Sequence, residues 1–385
     1  MAGFFYGPIG FTRPLGGDRF RRYRGPIRYA GKNRDFRSCF RHNFRNLRLA
    51  GNRMKPLSNQ QRLHLVNSEQ LFQSYRIALR HADAYRFGMR WKKVRHREYL
   101  FRDHDRRGNG KMMGPRSPET EKLLASFTEG RKAAQERLGL ISEKLQEQAR
   151  LNKALRLNRI PRVVARILRE LDRAGLEDSF TLIGTQALYA YEVAGGAHFL
   201  LELLASGDVD LLYDTRRRMT IVCTKLEGEG LLGLLQKADR SFERLSDQPY
   251  RAVNAGEFMV DLVIPPGGMR PSVPVTFGQA DLIAVEVPSL QWLIHAPKLE
   301  AVGIDEEGWP TPMRVPDPRA FALHKAWLSK QVLREPLKKP RDWAQAQAVA
   351  RLVQSEMPHL PFAEVLTALH ADVRGMLEEV LGAAG

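Results

Sequence analysis

An α+β fold is predicted by three observations. Short apolar strand patterns recur at 180–183, 208–213 and 257–265; long helical periodicities precede them, opening at Ser58 and Ser117; and proline-opened helices follow them, at Asp317 and Lys338. A length of 385 residues suits two or three domains. No stretch of 18 apolar residues occurs, and the densest, 197–205, is interrupted by Glu202, so no membrane partner is expected. Cys39 and Cys223 lie far apart without Cys or His partners at zinc-ligand spacing, which excludes a disulfide framework and a structural zinc site. With no charged n-region and apolar h-region at its start, the chain reads as cytoplasmic.

Residues 1–53 hold 13 of the 61 Lys and Arg against two acids, Asp18 and Asp35, so most of the net charge of +18 sits there. Ten Phe and Tyr are interleaved with no helical or strand period, so this segment has no face to bury and is expected to be disordered. It reads as an upstream extension ahead of Met54, as an arm that grips phosphates and stacks on bases, or as a transit-like segment.

Residues 54–160 form a second region. Leu63, Val66, Leu71, Phe72, Tyr75, Leu79, Ala82 and Tyr85 recur at spacings mostly of three or four, an amphipathic helix stopped by Gly88. The runs 90–94 and 98–102 about a basic turn read as a hairpin, and 103–115 as a flexible cationic loop. That loop either contacts nucleic acid or is a solvated edge guarded by Lys and Arg. Ser117-Pro118 starts a long helix whose stripe of Leu138, Ile141, Leu145, Gln148, Asn152 and Leu155 is a packing seam, polar at two positions. Pro161 breaks it, and a helix over 162–174 opens the third region, 161–290.

The chemistry is concentrated in that third region. Residues 180–183 run into Gly184-Thr185 and then a helix, a turn whose amides and hydroxyl can bind phosphate oxygens. Asp208 and Asp210 lie two apart on a strand and share a face, where a divalent cation relieves their repulsion; oxygen ligands favour Mg²⁺ or Mn²⁺. Asp261 sits alone in an apolar strand, so it needs a partner and a polar site. Placed beside 208–213, that strand brings three carboxylates to one cation-binding edge.

In that order, Gly184-Thr185, Asp208-x-Asp210 and a strand-borne Asp261 resemble the nucleotidyltransferases of the DNA polymerase β type. The run from Leu182 to Glu192 together with 207–212 is similar to a bacterial family of nucleotidyltransferase-like proteins, the likeness covering about residues 55–355. Thr185 stands where serine is usual, and the spacer before Asp208 is long, so an insertion near 195–204 must be accommodated. The resemblance implies a polymerase β-like core of mixed sheet and helices, and metal-dependent transfer of a nucleoside monophosphate from a nucleoside triphosphate to an acceptor hydroxyl, on RNA, protein or a small molecule. It implies metal ligation by Asp208, Asp210 and Asp261, with triphosphate binding by Gly184, Thr185 and Arg216, the last otherwise part of a solvated turn.

The fourth region, 291–385, is a helical bundle. Its layout is similar to the helical half of AbiEii-type nucleotidyltransferase toxins, which implies that Lys325 contacts phosphate and Asp342 orders the site. His324 reads as a packing residue, and further helices are expected over 343–354 and 361–381. Two competing readings are a non-catalytic nucleic-acid-binding protein on a degenerate nucleotidyltransferase fold, and an Asp-x-Asp glycosyltransferase, which the Gly-Thr turn and Asp261 disfavour.

Overall fold

In a computed structural model the described residues are 54–105, 107–216, 219–226, 228–266, 274–366 and 369–382. The Arg-rich segment 1–53 lies outside them, as do Arg217 and Arg218.

After β1 (Lys55–Pro56), α1 (Asn59–Asp83) opens on a reciprocal cap: the Ser58 hydroxyl accepts from the Gln61 amide at 3.2 Å and Gln61 Oε1 accepts from the Ser58 amide at 2.9 Å. The expected hairpin is present as β2 (Met89–Val94) and β3 (Arg97–Asp103). The second half of the loop expected over 103–115 is instead a third antiparallel strand, β4 (Gly110–Pro115). Two local features return the chain. Asp105 accepts from the Arg107 and Asn109 amides, and Gly110 lies so close to the Arg102 backbone that a Cβ there would approach within 3.0 Å.

Next, α2 (Pro118–Ala154) starts at the Ser117 cap. Its polar seam positions are satisfied by α1: Asn152 Nδ2 donates to Ser68 Oγ at 2.9 Å, and Gln148 Nε2 donates to the His64 carbonyl at 3.3 Å. At the other end Tyr85 meets Phe127, so the two helices form an antiparallel arm. Asn152 also donates to the Gly308 carbonyl, fastening the base of the arm to the rest of the protein.

The remaining elements are α3 (Arg162–Arg173), β5 (Phe180–Ile183), a 3₁₀ turn over Gly184–Ala187, α4 (Leu188–Gly195), β6 (Ala197–His198), α5 (Leu201–Leu204), β7 (Asp208–Tyr213), α6 (Met219–Lys225) and α7 (Gly230–Ala238). They continue with β8 (Glu243–Arg244), β9 (Arg251–Val253), β10 (Met259–Ile264), β11 (Val285–Glu286), α8 (Leu290–His295), β12 (Lys298–Ile304), β13 (Pro310–Pro316), α9 (Pro318–Lys330) and α10 (Lys339–Glu356). The helix expected over 361–381 is three short ones, α11 (Phe362–Leu366), α12 (Ala371–Arg374), which His370 caps, and α13 (Met376–Gly382), with Gly375 ending α12. The expected insertion around 195–204 is accommodated by β6, which pairs with β1, and by α5.

Among the described residues the central mixed sheet has the order β5-β7-β10-β9-β8, with β11 on the far half of β10. Side-chain alternation divides it. Leu182, Val209, Leu211, Tyr213, Val260 and Leu262 join the main core. On the other face Ile183, Leu212 and Val263 pack beneath Leu290, Leu293 and Ile294 of α8, and the starts of β7 and β10 on that face carry the carboxylates. The fold is α+β, consistent with a nucleotidyltransferase core. Among the described residues no helix is long and apolar enough to cross a membrane.

Candidate active site

Strand pairing assembles the site. β10 runs parallel to β7 in a register that sets Met259 opposite Asp208 and Asp261 opposite Asp210. Register partners point to one face, and Asp208 and Asp210 already share it, so all three carboxylates project from the same side. Antiparallel β5 sets Ile183 opposite Asp210, which delivers the next residue, Gly184, onto that carboxylate. Gly184 has φ of +72°, and a Cβ there would lie closer than 3.0 Å to Asp210 Oδ2, so the backbone conformation and the close approach both require glycine.

The charges interact strongly. Burial, followed by the negative charges of Asp208 and Asp261, pushes the Asp210 carboxyl up to about 7 against the pull of Lys325 and Lys338. Asp208 accepts a hydrogen bond from the Ser206 hydroxyl. Asp261 has the partner its sequence position demanded: Arg251 Nε donates to one oxygen and Nη2 to the other, each at 2.6 Å, with both side chains buried. Burial still raises the Asp261 carboxyl, with Arg251 opposing. Gln248 Oε1 in turn accepts from Arg251 Nη1 at 2.8 Å.

The C-terminal helices close over this edge. Lys325 of α9 donates to Asp342 Oδ1 at 2.8 Å, and Arg334 donates to Oδ2 at 2.7 Å. Burial opposes ionisation of Asp342, but Lys325 and Arg334 outweigh it and hold the carboxyl down to about 2. Lys325 is lowered chiefly by burial and further by Arg334 and Arg341, with Asp342 opposing. Gln345 of α10 donates to Thr185 Oγ1 at 3.2 Å and to the Leu203 carbonyl at 2.7 Å. Arg341 donates to the Ala205 carbonyl, and Gln186 to the Asp208 carbonyl, so the loop before β7 is held from two sides.

Gly184, Thr185, Asp208, Asp210, Asp261, Lys325 and Asp342 therefore gather at one edge of the sheet. Arg216 does not join them. It lies past Tyr213, the far end of β7, itself about 10 Å of extended chain beyond Asp210, and its guanidinium donates to both oxygens of Asp214 and to the Ile294 carbonyl. His324 is buried against the Trp292–Trp327 pair and held down to about 3 by burial, a neutral packing residue. The sequence carries no signal for the site roles of Arg251, Lys338, Arg334 and Gln345, and for Ser206 only the Ser206-Gly207 pair ahead of Asp208. A cavity of about 130 Å³ lined by Arg76, Leu182, Leu211 and Arg314 opens on the opposite face of the sheet, away from the carboxylates.

The donor set of Asp208 and Asp210 suits a divalent cation. Asp208 and Asp210 supply carboxylate oxygens only, the chemistry Mg²⁺ and Mn²⁺ take, and the raised Asp210 carboxyl marks a site that a cation would relieve. Among the described residues no group of three or more His, Cys, Asp and Glu stands ready to hold a metal ion, in keeping with the engagement of both Asp261 oxygens by Arg251.

A sequence model of a family described as "Nucleotidyltransferase" matches residues 162–370, spanning the turn, the three carboxylates and the helices that carry Lys325 and Asp342. No curated protein and no solved structure matches the chain.

Proposed function

The chain belongs to this nucleotidyltransferase family, and from that premise we propose that it transfers a nucleoside monophosphate from a nucleoside triphosphate to an acceptor hydroxyl, releasing pyrophosphate. The observation that carries the reading is the β7–β10 register, which lines up Asp261 with Asp210 on the face where Gly184 meets Asp210. Family membership does not favour the non-catalytic alternative.

In this reading Asp208 and Asp210 hold Mg²⁺ or Mn²⁺, which when bound neutralises triphosphate charge at the α-phosphorus. The Gly184 turn leaves backbone amides facing the phosphates. Thr185 accepts from Gln345 and so keeps its own hydroxyl proton to donate. Lys325, held by Asp342, offers a cation to the triphosphate. Arg251 occupies one lone pair on each Asp261 oxygen and leaves the others. Asp261 is thereby oriented to take the proton of the acceptor hydroxyl as its oxygen bonds to the α-phosphorus and the bond to the pyrophosphate leaving group breaks.

The test incubates the full chain with Mg²⁺ or Mn²⁺, each α-labelled nucleoside triphosphate, and total RNA or cell extract. An Asp208→Ala/Asp210→Ala variant runs beside it. Label carried to an acceptor by the wild type alone supports the proposal; equal labelling by the variant ends it.

A further inference from the structure

We propose that the three-stranded sheet at the tip of the helical arm binds the phosphate backbone of a nucleic acid. The argument begins with where charge sits. Residues 54–385 carry a net +7, and residues 89–116 alone hold ten Lys and Arg against three acids, so the rest of that stretch is balanced. The entire positive excess beyond residue 53 thus falls in one stretch of sequence, the one that builds the small sheet.

The three acids do not neutralise it. Glu98 pairs with Arg116 at 2.7 Å, Asp103 pairs with Arg90 at 3.0 Å, and Asp105 accepts from Asn109 and two backbone amides. Arg102 is also engaged, on the Phe127 ring and on backbone carbonyls at the end of α1. Lys92 donates to the Gly108 carbonyl at 3.1 Å, Arg107 lies in the field of Asp105, and Arg106 lies outside the described residues, which leaves Lys93, Arg95, Arg97 and Lys111, all exposed and, among the described residues, without an ion-pair partner. Four unneutralised cations on adjacent strands and their connecting turn match a polyanion with closely spaced charges. An edge guarded only against aggregation needs a few cations, not the whole excess of residues 54–385.

The position suits a binding module. The arm is fixed at its base by Ser68, Gln148, Asn152 and Gly308, while the sheet lies about 50 Å away along α2. A polymer held there extends well beyond any single residue bound at the carboxylates. That this polymer is the acceptor rests on the proposed nucleotidyl transfer; its binding to the sheet does not.

The experiment uses the full chain, with fluorescence anisotropy on labelled single-stranded RNA, single-stranded DNA and duplex DNA across about 50–300 mM salt. The wild type is compared with a K93E/R95E/R97E/K111E variant, and circular dichroism checks its fold. Losing four phosphate contacts at about 0.7–0.9 each should flatten the slope of log affinity against log salt by about 3, with at least about a tenfold loss of affinity at the low-salt end. The polymer that loses most identifies the ligand. Asp210→Asn should keep the wild-type slope while abolishing transfer, which separates failure of binding from failure of catalysis. Equal slopes for the wild type and the quadruple variant on all three polymers would overturn the proposal and move any binding elsewhere, residues 1–53 included.

Discussion

Replacing Arg251 with alanine should leave Asp261 as a buried carboxylate without its principal partner. Arg251 is 4% and Asp261 9% exposed, and two 2.6 Å charge-assisted hydrogen bonds join them. Removing one member of such a pair costs about 3–5 kcal/mol, and because Lys338 still attracts the Asp261 charge, the lower end, about 3 kcal/mol, is expected. Urea unfolding at pH 8 reads this as a fall in midpoint at unchanged m. In the variant the Asp261 carboxyl, already raised by burial, rises further. A group whose folded pKa lies above its unfolded value contributes stability at low pH and loses it as pH rises. The deficit should therefore be largest at pH 8 and shrink as pH falls toward 5. Because the arginine is needed only where the carboxylate is present, Arg251→Met combined with Asp261→Leu should recover stability to within about 1 kcal/mol of wild type. A single-variant loss under about 1 kcal/mol, or a double variant that adds the two single losses, would refute the pairing as the support of Asp261.

Three other perturbations test neighbouring parts of the site. Gly184→Ala forces a Cβ onto Asp210 at a left-handed φ and should cost about 1–2 kcal/mol from conformation alone. It should also abolish transfer, whereas Gly207→Ala, whose new Cβ meets nothing within 4 Å, should be close to neutral in the same urea and labelling assays. Asp210, raised to about 7, favours the folded state at low pH and loses that contribution as pH rises from about 4 to about 7. Thermal scans across that range should show Asp210→Asn with the flatter decline, by up to about 1.4 kcal/mol per pH unit; parallel curves would contradict the crowding of the three carboxylates. Gln345→Leu removes the donor to Thr185 and to the Leu203 carbonyl and should lose about 1–3 kcal/mol in urea, as Gln345 is wholly buried.

The amino-acid order by itself determined the local pieces. Ser58 and Ser117 announce helix starts, the strand patterns hold Asp208, Asp210 and Asp261, and Gly184 marks a turn, because caps, periodicity and positive φ are properties of a few consecutive residues. Tertiary structure alone decided which pieces meet. That Arg251 faces Asp261 follows from the β9–β10 register, and Gln345 reaches Thr185 across 160 positions of chain. The same holds for the return of 110–115 as a strand, which depends on β3 being there to pair with. Arg216, three residues past the metal strand, looked close to the phosphates, yet β7 points away from Asp210 as it runs and Asp214 captures the guanidinium. A strand's direction and register are set by distant partners, whose hydrogen bonds and burial leave no periodic trace in the segment itself, so the inventory of the site was readable and its wiring was not.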